Sequence, residues 1–231
     1  MNGTPKITER ALLRLHVEAV WGVRLPSIVQ SNVTLLPESL QPSWKLCAAQ
    51  MSDDRVYIWR AGVDAMERKA LLASTHEALA LPPTAAAAAG INRDIALHQM
   101  ASPTMDVATV QHIARHLTPH DEALLETFQP DSVEYYLQAD CRPLIGVIVE
   151  DRLLSLAHSS RRTSEACELG IDTLPGARRR GYALAATVLW AATVNLEGLV
   201  PLYSTSVENK ASLGLAAAAG YRVFARVATI E

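Results

Sequence analysis

Aromatic residues are scarce in this chain, 5% of 231 residues, and neither sign of charge dominates. Lys and Arg number 21 against 24 Asp and Glu, for a net charge of −3. No global field therefore draws the chain to nucleic acid or to an anionic membrane. The interleaving of aromatic and basic residues that a nucleic-acid module uses is also missing. Long hydrophobic runs are absent: the most apolar stretch, Gly181–Val194, covers 14 residues, where a membrane-spanning helix needs about 20. The opening residues, MNGTPKITERALLRLH, contain no apolar signal core. Cysteine is limited to Cys47, Cys141 and Cys167, odd in number and without a CxxC pair. That fits small buried thiols in a reducing cytoplasm better than a disulfide framework or a zinc site. What the chain does have is 49% hydrophobic content, enough for one large domain or two small ones.

The pattern changes near residue 104. In region 1–104, Thr8 is placed to cap a helix whose Leu12, Leu15, Ala19 and Val20 share one face. NVTLLP and RVYIWR read as short strands. DAMERKALLASTHEALA opens with Asp64 and Glu67 in capping-box spacing and continues as a helix. The five alanines of LPPTAAAAAGIN read either as a helical turn or as a connector. No catalytic signature is visible in this region. Region 105–231 reads β-α-(α)-β-β-β-α-β-α-β, a mixed sheet with helices packed on it. His112 and His116 in HIARH have metal-like spacing only on a helix, and the segment reads as a strand. The four tryptophans, Trp21, Trp44, Trp59 and Trp190, read as packing residues.

One stretch concentrates positive charge locally: ELGIDTLPGARRRGYALAA, residues 168–186. In its strand, Leu169 and Ile171 point to one face while Glu168, Gly170 and Asp172 point to the other. Pro175 stops the strand, and a helix is expected to begin near Arg179 or Arg180. The first amides of a helix have no partner within it, and the helix dipole adds about +0.5 charge there. Gly181 has no side chain to shield those amides and Ala183 has only a methyl, so an anion with several oxygens can sit on the backbone. Arg178, Arg179 and Arg180 supply further charge around the same point. Neither a P-loop nor a GxGxxG fingerprint is present. By itself the turn is read equally well as a diphosphate cradle or as a solvated charge run ahead of a buried helix.

With the elements that follow, the sequence resembles the GNAT superfamily of N-acetyltransferases over about residues 105–231. That family's acetyl-CoA loop, Arg/Gln-x-x-Gly-x-Gly/Ala, is matched by Arg178, Gly181 and Ala183, with Pro175 at its usual place. Asn209, Ser212, Ala216, Gly220 and Tyr221 stand in the register Asn-x-x-Ser-x-x-x-Ala-x-x-x-Gly-aromatic. ARHLTPHDEALLETF is similar to the family's first strand and helix. The resemblance implies an α/β (α+β) fold with a mixed, mostly antiparallel sheet and flanking helices. It implies acetyl-CoA as co-substrate, an amine acceptor and no metal. The backbone of Arg179, Arg180, Gly181, Tyr182 and Ala183 would bind the CoA diphosphate. The main chain of Ile171, Asp172 and Thr173 would pair with the pantetheine arm in a wedge between two splayed strands, and Pro201 suits an unpaired edge there. Asn209 would touch the cofactor or cap its helix, and Ser212 would sit in that helix's first turn.

Acetyl transfer needs an unprotonated amine, and a lysine-like amine is neutral in roughly one molecule in 2,500 at pH 7. The family often keeps a carboxylate base where Glu168 stands; the competing reading is a solvent-facing residue or a partner of Arg161 or Arg162. The tyrosine that usually protonates the leaving thiolate is replaced by Ala216. Tyr203, Tyr182 or bulk water would have to serve in its place. His158 ends a strand near the expected cleft and is read as structural. For residues 1–104 three roles are open: a lid, a substrate wall or an oligomer surface such as that of a homodimer. A second copy of the fold is the further alternative.

Overall fold

The computed structural model describes residues 7–85 and 87–231. Its elements run α1 (Glu9–Trp21), β1 (Asn32–Thr34), β2 (Leu46–Gln50), β3 (Arg55–Trp59), α2 (Ala65–Ala80), β4 (Ile91–Gln99), α3 (Val107–Val110) and β5 (Arg115–His116). There follow α4 (Glu122–Phe128), α5 (Val133–Leu137), β6 (Ile145–Val149), β7 (Arg152–Arg162), β8 (Ala166–Thr173), α6 (Tyr182–Leu196), β9 (Val200–Ser206), α7 (Lys210–Ala218) and β10 (Tyr221–Ile230). The chain divides into two compact units. One comprises the residues up to Leu97 with Ser204–Lys210 and Val223–Glu231; the other comprises His98–Tyr203 with Ala211–Arg222.

In the first unit, Thr8 accepts a hydrogen bond from the Ala11 amide and starts α1 as its sequence predicts. Leu12, Leu13, Leu15, Val17 and Ala19 are buried on that helix, whereas Val20 is only partly covered. Asp64 accepts from the Met66 and Glu67 amides and starts α2. Glu67 turns away from the cap to Lys45 at 3.1 Å. β2 pairs antiparallel with β3 and with β10, and β1 runs parallel to β3. β2 and β4 were not expected from the sequence, and for β4 the physical reason is visible at Arg93. This buried residue of β4 directs its guanidinium to the carbonyls of Leu81 (3.1 Å), Pro82 (3.2 Å) and Ala85 (2.6 Å). The charge reads as exposure in the sequence, yet here it satisfies the carbonyls past the end of α2. Ala86 lies outside the described residues, and the described alanines beside it form no helix.

After residue 104 the elements follow the expected order, with the short helix α3 added in front of β5 and the closing strand β10 belonging mostly to the first unit. β5, β6, β7 and β8 pair antiparallel in sequence, and β8 pairs parallel with β9. Glu150 and Asp151, at φ 50° and 57°, make the tight turn between β6 and β7. HIARH contributes only Arg115 and His116 as strand. On one face α4 and α5 bury Leu125, Phe128 and Tyr136 with Leu144, Leu153 and Leu156. α6 is apolar all round, as a buried helix should be, and encloses Val188, Leu189 and Trp190. Each of those side chains contributes roughly 1.5–3 kcal/mol by burial. The Trp190 indole donates to Ser159 Oγ at 3.3 Å, which keeps its one polar atom satisfied. Cys47, Cys141 and Cys167 are free and buried. Among the described residues no helix is long and apolar enough to cross a membrane.

Candidate active site

The Gly-Ala-Arg-Arg-Arg-Gly turn folds differently from a simple strand-to-helix corner. Pro175–Ala177 form one turn of 3-10 helix, and Arg178 returns to extended backbone. Arg179 then adopts φ 65° and Gly181 φ 82°, both left-handed. These reversals keep the arginines out of the helix, so α6 begins at Tyr182 and not at Arg179 or Arg180 as the sequence suggested. Gly181 is the N-cap and supplies no side chain to it. The first amide of this region with an intrahelical partner is that of Ala185, bonded to Gly181 O at 3.0 Å. Among the described residues, the amides from Arg179 to Leu184 donate no hydrogen bond. A Cβ on Gly181 would meet only the Met105 methyl, at 3.8 Å, so the space over the amides is open. Successive free amides in such a turn form a concave anion site. Arg178, Arg179 and Arg180 are exposed around it.

A second set of unused backbone groups lies just upstream. The parallel pairing of β8 with β9 runs Ala166↔Val200, Cys167↔Pro201, Glu168↔Leu202 and stops. β8 continues to Thr173 and stays paired to β7 on its other side. From Leu169 to Thr173 its β9-side edge is therefore open, and it leads directly to the turn. Pro201 is not at the open edge, as the sequence suggested, but inside the paired segment opposite Cys167. The divergence begins one residue beyond Leu202.

Polar side chains collect where the strands part. Glu168, paired to Leu202, is 4% exposed. Tyr203 follows Leu202, and its hydroxyl meets Ser212 Oγ on α7 at 2.7 Å. The Tyr203 and Tyr221 rings meet edge-on at 5.4 Å. Burial raises the Tyr203 phenol above its ordinary value, opposed by the Ser212 hydrogen bond and aided by the negative charge of Glu168. Tyr221 is raised well above the ordinary phenol value, first by complete burial and then by Glu168 and Tyr203. Glu168, Tyr203 and Tyr221 thus lie buried together where the strands part.

A model of the GNAT acetyltransferase family matches residues 87–226, more than half of the chain. The chain belongs to this family. None of the curated proteins compared with it matches. Among solved structures, it is similar to one assigned to GNAT-family acetyltransferases from Novosphingobium aromaticivorans DSM 12444. The identity is 21%, the TM-score 0.48 and the coverage 60% of this chain and 63% of that one, so the chain spans less than two thirds of that neighbour. A GCN5-related N-acetyltransferase from Sphaerobacter thermophilus aligns at 13% identity and TM-score 0.49, over 80% of this chain and 76% of that one. The aminoglycoside N-acetyltransferase AAC(6′)-Iy, in complex with CoA, aligns at 21% identity and TM-score 0.39, over 48% of this chain and 92% of its own.

On this GNAT chain the residues singled out by sequence fall into three groups. Glu168, Tyr203 and Ser212 fall where the strands part, Tyr203 bonded to Ser212 and Glu168 paired to the neighbouring Leu202. Arg178–Ala183 form the open turn, and Ile171, Asp172 and Thr173 form the open strand edge. Asn209 belongs to the Ser204–Lys210 segment of the first unit, where its amide donates to Ser206 O at 3.0 Å. The solvent-facing reading of Glu168 fails on its burial, and Arg162 goes to Glu197 at 2.9 Å. Tyr182 is half-buried at the first position of α6. Among the described residues no His, Cys, Asp and Glu group is arranged to hold a metal.

Two features were not legible as site features. His158 lies over Gly170, where the Cβ of any other residue would run into its ring. It is held edge-on by Tyr135 at 5.6 Å and Tyr136 at 5.1 Å, and burial pushes it down to about 4. It is a neutral imidazole at pH 7. The Tyr136 hydroxyl donates to Gln129 and, at 3.5 Å, to Asp172, whose carboxyl is raised by burial. The second feature is Tyr221, which the motif marks only as an aromatic.

Proposed function

We propose that the chain transfers an acetyl group from acetyl-CoA to a primary amine of a small molecule or peptide, by direct attack within a ternary complex. The observation that carries this reading is the continuity of unused backbone groups: an open β8 edge leading into an uncapped helix start. The free amides of Arg179–Leu184 suit a diphosphate, with Arg178, Arg179 and Arg180 as counter-charge. The edge at Ile171, Asp172 and Thr173 suits a pantetheine arm, whose amides pair with main chain as an added strand would. The thioester then lies beside Glu168 and Tyr203.

In that arrangement Glu168 acts as general base. The amine nitrogen bonds to the acetyl carbon and loses its proton to the carboxylate, and the carbon–sulfur bond breaks. The amine must arrive neutral, which for a lysine-like acceptor at pH 7 costs roughly 4.6 kcal/mol. That first proton leaves to solvent before attack, and Glu168 takes the one released as the carbon–nitrogen bond forms. Tyr203 gives the thiolate its proton in place of the tyrosine that Ala216 replaces. Its raised affinity keeps it protonated until the thiolate appears. The free thiolate is itself a tolerable leaving group, with a thiol value of about 8.5, so this acid assists the transfer without being indispensable.

Calorimetric titration with acetyl-CoA, combined with thiol release measured by DTNB across a panel of amines, tests the reading. Saturable binding and acceptor-dependent thiol release are expected, and Gly181→Glu should abolish both. Normal binding by that variant contradicts the cradle. The Ala216 replacement favours a second reading, a non-catalytic acyl-CoA-binding regulator. Tight binding without thiol release on any amine supports that reading against the first.

A further inference from the structure

Tyr221 opens β10, and its neighbourhood is fixed from several directions. Gly220 O accepts from the amides of Met100 (3.1 Å) and Ala101 (3.0 Å), which pin the chain just before it. Its ring packs edge-on against Tyr203. The residue is 1% exposed, and its hydroxyl is buried without a hydrogen-bond partner among the described residues. A phenylalanine would fill the same space without that cost, because a buried hydroxyl deprived of its partners is destabilising. Packing alone therefore gives no reason for the oxygen.

The surroundings supply one. Glu168 lies within electrostatic reach of both Tyr203 and Tyr221. On α7, Ala216 follows Ser212 by one turn on the same face and is fully buried. Ser212 engages the Tyr203 hydroxyl, so Tyr203 has a fixed partner and Tyr221 has none. The proposed transfer also leaves a charge problem in this pocket: it ends with Glu168 protonated and Tyr203 deprotonated. Neither the phenolate nor a second turnover is tolerated until that proton is returned, and both groups are shut away from bulk water.

We propose that Tyr221 is a positioning residue for acetyl transfer, its hydroxyl holding a water that passes the proton from Glu168 back to Tyr203. The inference rests on the proposed function. Tyr221 donates to the water or accepts from it, and Glu168 and Tyr203 complete its set of polar partners, as a buried water requires. The balance closes within the pocket. The amine proton goes to Glu168, the Tyr203 proton goes to the thiolate, and the Glu168 proton restores Tyr203 through the water. The net products are the amide and free CoA.

Tyr221→Phe tests this, using the amine that gives the fastest thiol release in the panel. The expected result is a fall of about tenfold in kcat with KM for acetyl-CoA nearly unchanged. The solvent deuterium isotope effect on kcat should change, and the melting temperature should hold or rise. A kcat within about twofold of the parent, or a fall in melting temperature that accounts for the lost activity, overturns the relay. Glu168→Gln separates the two levels of the argument. If it is inactive while Tyr221→Phe behaves like the parent, the relay alone fails. If Glu168→Gln turns over normally, or no amine releases thiol from the parent protein, the base assignment and the relay fail together.

Discussion

The starts of α2 and α6 show how one chain uses the same backbone feature in two ways. At α2 the Asp64 carboxylate covers the Met66 and Glu67 amides at 2.9 Å each. At α6 the cap is Gly181, no side chain covers the first turn, and three arginines surround it. Both starts carry the same orphan donors and the same dipole. The first satisfies its own donors and becomes a structural element. The second leaves them to something else, and its left-handed Arg179 and Gly181 hold the amides in a concave set. An uncapped helix start is informative only beside a capped one in the same molecule.

Making α6 resemble α2 should have the largest effect. Gly181→Asp places a carboxylate on the bare amides, and acetyl-CoA affinity should fall by about 2–3 kcal/mol, roughly 30- to 150-fold, by calorimetry. The fold should survive, since Asp tolerates a left-handed backbone better than most residues.

The second effect concerns the strand side of the site. The unfolded chain's His158 takes a proton near 6.5, while the folded one resists until about 4. The unfolded state therefore binds more protons in that window, and stability falls as pH drops from 6.5 toward 4. The loss amounts to up to about 3 kcal/mol. Asp172, raised by burial, works in the opposite sense: its contribution is lost as pH rises through its folded value. In denaturant melts against pH, His158→Gln should flatten the limb between 6.5 and 4.

Removing the cap of α2 should sharpen the contrast. Asp64→Ala should cost about 1 kcal/mol in urea denaturation and leave acetyl-CoA affinity unchanged. The smallest effect is expected at Arg179. Glycine there relieves a left-handed side chain but gives the unfolded chain more freedom, for a net gain of roughly 0.5 kcal/mol. Acetyl-CoA binding to Arg179→Gly should weaken and lose part of its salt dependence.

Much of the second unit was legible because its signals are local. Pro175 ends a strand, and the alanine-rich run after the arginines marks a helix. Its start was placed at Arg179 or Arg180, because the left-handed turn at Arg179 and Gly181 leaves no trace in the sequence. The open edge of β8 was expected, but its cause was misplaced at Pro201, since register between parallel strands leaves no trace in either strand alone. β4 was missed because Arg93 reads as exposed until the carbonyls it serves are brought to it by the fold. The same limit hid Tyr221: the motif asks only for an aromatic after Gly220. What its oxygen can do depends on Glu168 and Tyr203, which are distant in sequence.

The most direct test of the central claim is the response of the amides themselves. In ¹⁵N-labelled protein titrated with acetyl-CoA, the backbone resonances of Arg179–Leu184 should shift strongly. S-acetylpantetheine, which lacks the diphosphate, should shift the β8 edge at Ile171–Thr173 and leave the α6 start nearly unmoved. If acetyl-CoA binds and the amides from Arg179 to Leu184 do not respond, the helix start is not the diphosphate cradle and the account fails.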